Sequence, residues 1–167
     1  MKKIGFLLAC LALLFLADGE ALAEQHDRLL PLLRDLEGWQ AQPAQGTSLA
    51  SAQMKMISAV RSYSREDKNL TVNIMVNSGP LLDIDLQESS SEDANYRIQS
   101  RQVDGFWIKS TSSKRSASGQ VIVHLDYNQE ANAVLIVEYV KMSEEEVLRT
   151  VKVLDWPKLK KVVSPML

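Results

Sequence analysis

His124 and Asp126 are the side chains whose types and spacing come nearest to chemistry. Two residues apart on one strand, an imidazole and a carboxylate share a sheet face, where they can act as a general base or as two ligands of a metal. Such a base also needs a nucleophile or a third ligand, and the sequence marks neither. The pair therefore reads as a partly exposed strand histidine beside a charge. His26, the other imidazole, adjoins Asp27 and is expected on an exposed helix face. Asp83 and Asp85 repeat the two-residue spacing, but acid–base work requires an apolar setting that raises one pKa. The nearby Ser89-Ser90-Ser91 run points to solvated carboxylates instead. Glu144-Glu145-Glu146 is as dense as an acidic metal cluster. It follows Ser143 in capping-box order, with Glu146 placed to reach back to the cap, and this accounts for it. No metal and no cofactor is expected.

A second set of residues suits binding. Arg97, Arg101 and Lys109 fall on neighbouring predicted strands, with Lys114 and Arg115 on the solvated hairpin tip of residues 110–119, and Phe106-Trp107-Ile108 puts one large ring on the far side of its strand. If Trp107 is exposed, it and Arg97, Arg101, Lys109 and His124 form a candidate binding face for an envelope ligand or a protein partner. Lys158, Lys160 and Lys161 are a further basic group; solvated faces explain these cations equally well. A net charge of −2 lacks the basic excess of a nucleic-acid binder. No Gly-x-Ser-x-Gly elbow, Ser-x-x-Lys pair, phosphate-cradling glycine loop or dinucleotide fingerprint occurs.

The first residues carry an address. Lys2 and Lys3 precede an apolar run from Ile4 to Ala17, and Ala21-Leu22-Ala23 offers small side chains to a signal peptidase. Residues 1–23 are read as a cleaved signal peptide, with Ala21 and Ala23 setting the cut. The apolar run is shorter than the roughly 20 residues of a membrane-spanning helix. Leu7-Leu8-Ala9-Cys10 resembles a lipobox, but cleavage there would leave a greasy stretch where a polar tether belongs, so a lipid anchor at Cys10 is not adopted. Removal of residues 1–23 leaves a chain without cysteine, and hence without a disulfide or a thiol nucleophile.

The elements that would hold these residues follow from periodicity. Leu29, Leu30, Leu33 and Leu36 predict a helix over 24–38, with Pro31 in its first turn and Gly38 as its stop. Residues 40–53 read as a loop. Alternation over 54–61 and 70–76 predicts a hairpin, and residues 81–95 a short helix. Four strands follow at 96–103, 106–111, 120–127 and 133–142, with Asp104-Gly105 as a tight turn. Val134-Leu135-Ile136-Val137 is apolar on both sides, which places that strand centrally and covered on both faces. Ser143 opens one helix and Asp155-Trp156-Pro157 a second. The expectation is α+β: one domain over 24–167, with an antiparallel sheet of about six strands, hairpin plus meander, packed against N- and C-terminal helices.

Leu36-Glu37-Gly38-Trp39, Met54-Lys55-Met56-Ile57-Ser58-Ala59-Val60-Arg61-Ser62-Tyr63 and Leu154-Asp155-Trp156-Pro157-Lys158-Leu159 together resemble a group of small exported bacterial proteins of unknown function. The resemblance implies a periplasmic location and supplies no activity or catalytic residue. At the level of fold alone, the arrangement is similar to Mog1/PsbP-like domains. The function expected is that of an exported, non-catalytic binding or accessory protein. Two alternatives are an envelope hydrolase or metal-dependent enzyme using His124 and Asp126, and an envelope structural or stress-related protein.

Overall fold

The computed structural model describes residues 25–51, 54–78 and 86–167. The signal-peptide residues, Cys10, and the Asp83 and Asp85 carboxylates lie outside them.

Among the described residues nine strands build one antiparallel sheet: β1 (Gln40–Ala41), β2 (Gln45–Ala50), β3 (Lys55–Arg65), β4 (Lys68–Ser78), β5 (Ser89–Glu92), β6 (Tyr96–Val103), β7 (Phe106–Ser113), β8 (Ser118–Tyr127) and β9 (Ala131–Val140). Across the sheet they run β1-β3-β4-β9-β8-β7-β6-β5, with β2 also pairing β3. A hairpin half, β3–β4, thus joins a meander half, β5–β9, through the β4–β9 ladder. Two tight turns show why the chain reverses where it does. Glu66, between β3 and β4, has a φ of 56°; Asp104 and Gly105, between β6 and β7, have φ of 52° and 81°, the two left-handed residues of a type I′ turn.

One face of the sheet is the core. Ile57, Ala59 and Tyr63 on β3, Leu70, Val72, Ile74 and Val76 on β4, Leu135 and Val137 on β9, Val121 and Val123 on β8, and Ile108 on β7 share it by register, and all are buried. Helices α1 (Glu144–Val151) and α2 (Trp156–Val163) add Val147, Val151, Trp156, Leu159 and Val163 to the same cluster. Each valine, leucine or isoleucine so removed from water contributes about 1.5–3 kcal/mol. Leu29, Leu32, Leu33 and Leu36 join from the N-terminal side.

The α+β class and the antiparallel sheet agree with the sequence reading, and the strand count is higher than the six expected. The loop expected over 40–53 contributes β1 and β2, held by pairing with β3 despite Pro43 and Gly46. Ser89–Glu92 pairs with β6 as an edge strand where a short helix was expected. The N-terminal leucines are buried by wrapping onto the sheet; beyond helical residues 25–27 only a 3-10 turn forms, at Leu30–Leu32, with Pro31 in it. β9 is central as expected, but every helix among the described residues sits on one face, and Ile136 on the other is half-exposed.

The N-terminal segment is fastened by two side chains of β3. Arg61 donates to the carbonyls of Leu33 (2.6 Å) and Gln42 (2.8 Å) and to the Asp35 carboxylate (2.6 Å). The Tyr63 hydroxyl donates to the Arg34 carbonyl at 2.8 Å. These ties, rather than chemistry, account for the Arg61 and Tyr63 positions of the sequence pattern singled out above. Asp155 plays a like part: at φ 54° its carboxylate accepts from the Lys158 amide and starts α2. Trp156 is buried edge-on against Phe106 and donates to the Val151 carbonyl at 3.2 Å.

Candidate functional site

A β-bulge decides the fate of the His–Asp pair. On β8, His124 pairs with Val134 and Asp126 with Ala133, so Leu125 is an extra residue between them. Leu125 and Asp126 therefore both face the helices, and His124 faces the other way. Asp126 accepts a short hydrogen bond from the Ser164 hydroxyl and lies 3.4 Å from the Lys160 ammonium, which ties the end of α2 to the sheet. Burial pushes its carboxyl pKa up, yet Ser164 and Lys160 outweigh this and hold it below the ordinary value. The expectation that His124 and Asp126 share a face is overturned: the inserted residue inverts the alternation on which it rested.

The binding set divides in the same way. Arg97 and Arg101 lie on the helix face of β6, opposite Ser112 and Ile108. Arg97 is 3.0 Å from Glu92, and Arg101 is 2.7 Å from Glu144 at the start of α1. Trp107, Lys109 and His124 lie together on the other face, open in that no helix among the described residues packs on it. Nothing about periodicity within one strand could group them this way; cross-strand register does it. Trp107, His124, Val134 and Met75 form one row across four strands. Lys109, Ile122, Ile136 and Asn73 form the next.

Other sequence candidates are spoken for. Ser143 caps α1 by accepting from the Glu146 amide at 3.2 Å, as expected. The Glu146 carboxylate turns to Arg65 (2.9 Å) and Lys68 (2.7 Å) on the sheet instead of serving the cap. Arg65 also covers the Trp39 ring at 4.6 Å. His26 is part-buried on the sheet edge, 3.1 Å from the Ser48 hydroxyl, rather than on an exposed helix face. No group of three His, Cys, Asp or Glu among the described residues is placed to hold a metal ion, and no helix among them is long and apolar enough to cross a membrane.

The open face has an unusual charge pattern. Its strand positions carry Met56 and Val60 on β3, Met75 on β4, Val134 and Ile136 on β9, Ile122 on β8 and Trp107 on β7, interleaved with serine, threonine, asparagine and glutamine. Lys109 and Glu138 are the only lysine, arginine, aspartate or glutamate side chains at those positions among the described residues. The charges of β3 to β8 otherwise gather on the helix side: Lys55, Arg61, Arg65, Lys68, Glu92, Arg97, Arg101 and Asp126. An antiparallel sheet that merely shows one side to water places its charges there. This one does the reverse.

Within the face, Trp107, Ile122, His124 and Ile136 are half-buried, and Val134 is only 6% exposed. His124 Nδ1 is enclosed without a hydrogen-bond partner. Burial, and secondarily the nearby Lys109 ammonium, pushes the His124 pKa below its ordinary value, which keeps the ring neutral at pH 7. A shallow hollow of about 380 Å³ opens beside Thr71, Gln120 and Glu138 at one end of the face. Such a surface suits extended apolar and hydrogen-bonding contact; it assembles no nucleophile beside a base. Comparison with family models, with curated proteins and with solved structures finds no match to this chain.

Proposed function

We propose that this is an exported binding or accessory protein of the bacterial envelope that works through the open face of its sheet. One observation carries the reading. Among the described residues, the strands of the face centred on Trp107, Ile122, Val134 and Ile136 carry only Lys109 and Glu138 as charges, while the helix side carries the rest. Charge depletion with enrichment in tryptophan, tyrosine and methionine marks the buried centre of protein interfaces. The location rests on Lys2-Lys3, the Ile4–Ala17 run and Ala21-Leu22-Ala23, the order of a signal peptide.

Two measurements test it. Mass spectrometry of the protein made in an exporting bacterium is expected to find a chain starting at Glu24; an intact Met1 in the cytosol would overturn the location, and an acylated Cys10 would replace a free protein with an anchored one. A photo-crosslinking amino acid at Ile122 is expected to give adducts of discrete mass in living cells, and the same group at exposed Lys161 none. Absence of any adduct from the open face would remove the binding reading.

A further inference from the structure

The occupant of the open face can be argued from its extent and its two charges. We propose that it is a second copy of this chain, packed face to face across a two-fold axis so that each Lys109 meets the partner's Glu138. The inference rests on the reading of this face as a binding surface and goes further by naming what binds.

Extent comes first. β3, β4, β9, β8, β7 and β6 lie side by side, and each is at least eight residues long. At about 4.8 Å per strand and about 3.3 Å per residue, they present a rectangle of about 29 by 26 Å. That is roughly 750 Å², close to the 800 Å² or so that each partner buries in a stable interface. A drug-sized ligand prefers a concave site that wraps most of its surface. A broad sheet face is matched by another sheet, the two stacking about 10 Å apart with side chains interleaved.

Charge decides between a foreign partner and a copy. Among the described residues, the strand positions of the face hold one cation and one anion and are otherwise uncharged. Lys109 is on β7 and Glu138 on β9, with β8 between them. By register Lys109 stands opposite Ile122, and Glu138 opposite Gln120. A two-fold axis lying in the interface and crossing β8 between Gln120 and Ile122 exchanges the two positions, so both charges are neutralised twice over. The same operation stacks Ile122 and Ile136 near the axis, with the Trp107 rings at its flanks. Among the described residues, neither Lys109 nor Glu138 has an ion-pair partner within its own chain; Glu138 receives a long bond, 3.4 Å, from the Gln120 amide. Each is therefore free to serve the partner. Self-complementarity of this kind is what an isologous interface requires.

The test is sedimentation velocity on the full exported protein from low micromolar to about 100 μM, with charge reversal. The wild type is expected to populate a dimer within that range. Lys109→Glu and Glu138→Lys, both at exposed positions, should each weaken association by about tenfold, since like charges then meet twice. The double variant Lys109→Glu/Glu138→Lys should return to within about threefold of the wild type, with circular dichroism confirming that all four proteins are folded. A wild type that stays monomeric throughout would overturn the proposal, and so would a dimer indifferent to both single reversals. A monomer that still yields Ile122 adducts at a mass other than twice its own would end the dimer and leave the binding reading intact. No adducts and no dimer would end both.

Discussion

Replacing Arg61 with alanine is expected to release the N-terminal segment from the sheet. Arg61 stands between Ala59 and Tyr63 on the core side of β3, with its side chain only 16% exposed. Its bonds to the Leu33 and Gln42 carbonyls, 2.6 and 2.8 Å, are charge-assisted, the first part-buried and the second exposed. Each contributes about 1–1.5 kcal/mol, and the aliphatic stem adds some packing. Asp35, by contrast, is 84% exposed, so the ion pair is worth about 0.5 kcal/mol or less. The loss for Arg61→Ala is therefore about 3 kcal/mol, or roughly 8–12 °C in melting temperature for a protein of this size. Arg61→Lys keeps the charge but cannot serve both carbonyls from one point, and should lose about 2 kcal/mol. Urea unfolding followed by tryptophan fluorescence measures Arg61→Ala, Arg61→Lys and Asp35→Ala. An Arg61→Ala variant within about 0.5 kcal/mol of wild type, or an Asp35→Ala variant that loses as much as Arg61→Ala, would refute the tie.

Three further outcomes follow from local geometry. Gly119→Ala puts a methyl group against the Thr111 carbonyl and 2.6 Å from the Tyr139 hydroxyl oxygen, so the strand must shift, at a cost of about 2–3 kcal/mol in urea unfolding; a neutral result would mean that β7 and β8 are looser than their register implies. His124 has a depressed pKa in the folded state, so the unfolded chain binds its proton more readily. Stability from this group is full above about pH 6.5 and declines as the pH falls toward the folded-state pKa; His124→Gln should flatten that decline, and identical profiles would contradict the burial of the ring. Asp126 is also depressed overall, and its contribution is present above the ordinary carboxylate range and lost as acid protonates it. Asp126→Asn should destabilise by about 1 kcal/mol at pH 7 and raise amide exchange at the end of α2, where Ser164 and Lys160 are held; unchanged exchange there would show that the tie is idle.

Much of the architecture is legible along the chain. Leu70, Val72, Ile74 and Val76 alternate strictly and form β4 as read, and Asp104-Gly105 turns β6 into β7 because both residues tolerate positive φ. Ser143 and Asp155 start α1 and α2 by satisfying free amides. The elements missed have no apolar period to read. All four residues of β5 are exposed, and β2 is a mostly exposed edge strand held by its ladder to β3. The N-terminal leucines have helical spacing but meet it as a wrapped segment, because Arg61 and Tyr63 take up its carbonyls from outside.

Residue types and their order by themselves determined the antiparallel sheet, its closing helices and the presence of a few polar side chains with nothing obvious to do. Tertiary structure alone decided which of those side chains meet. Alternation specifies relative faces only while the count of residues stays even. The extra Leu125 breaks that count, sending Asp126 to the helices and leaving His124 with Trp107. Which side of the sheet carries the charges was likewise settled only when the helices docked. The arginines of β3 and β6 then found Asp35, Glu144 and Glu146, and the opposite face was left with Lys109 and Glu138.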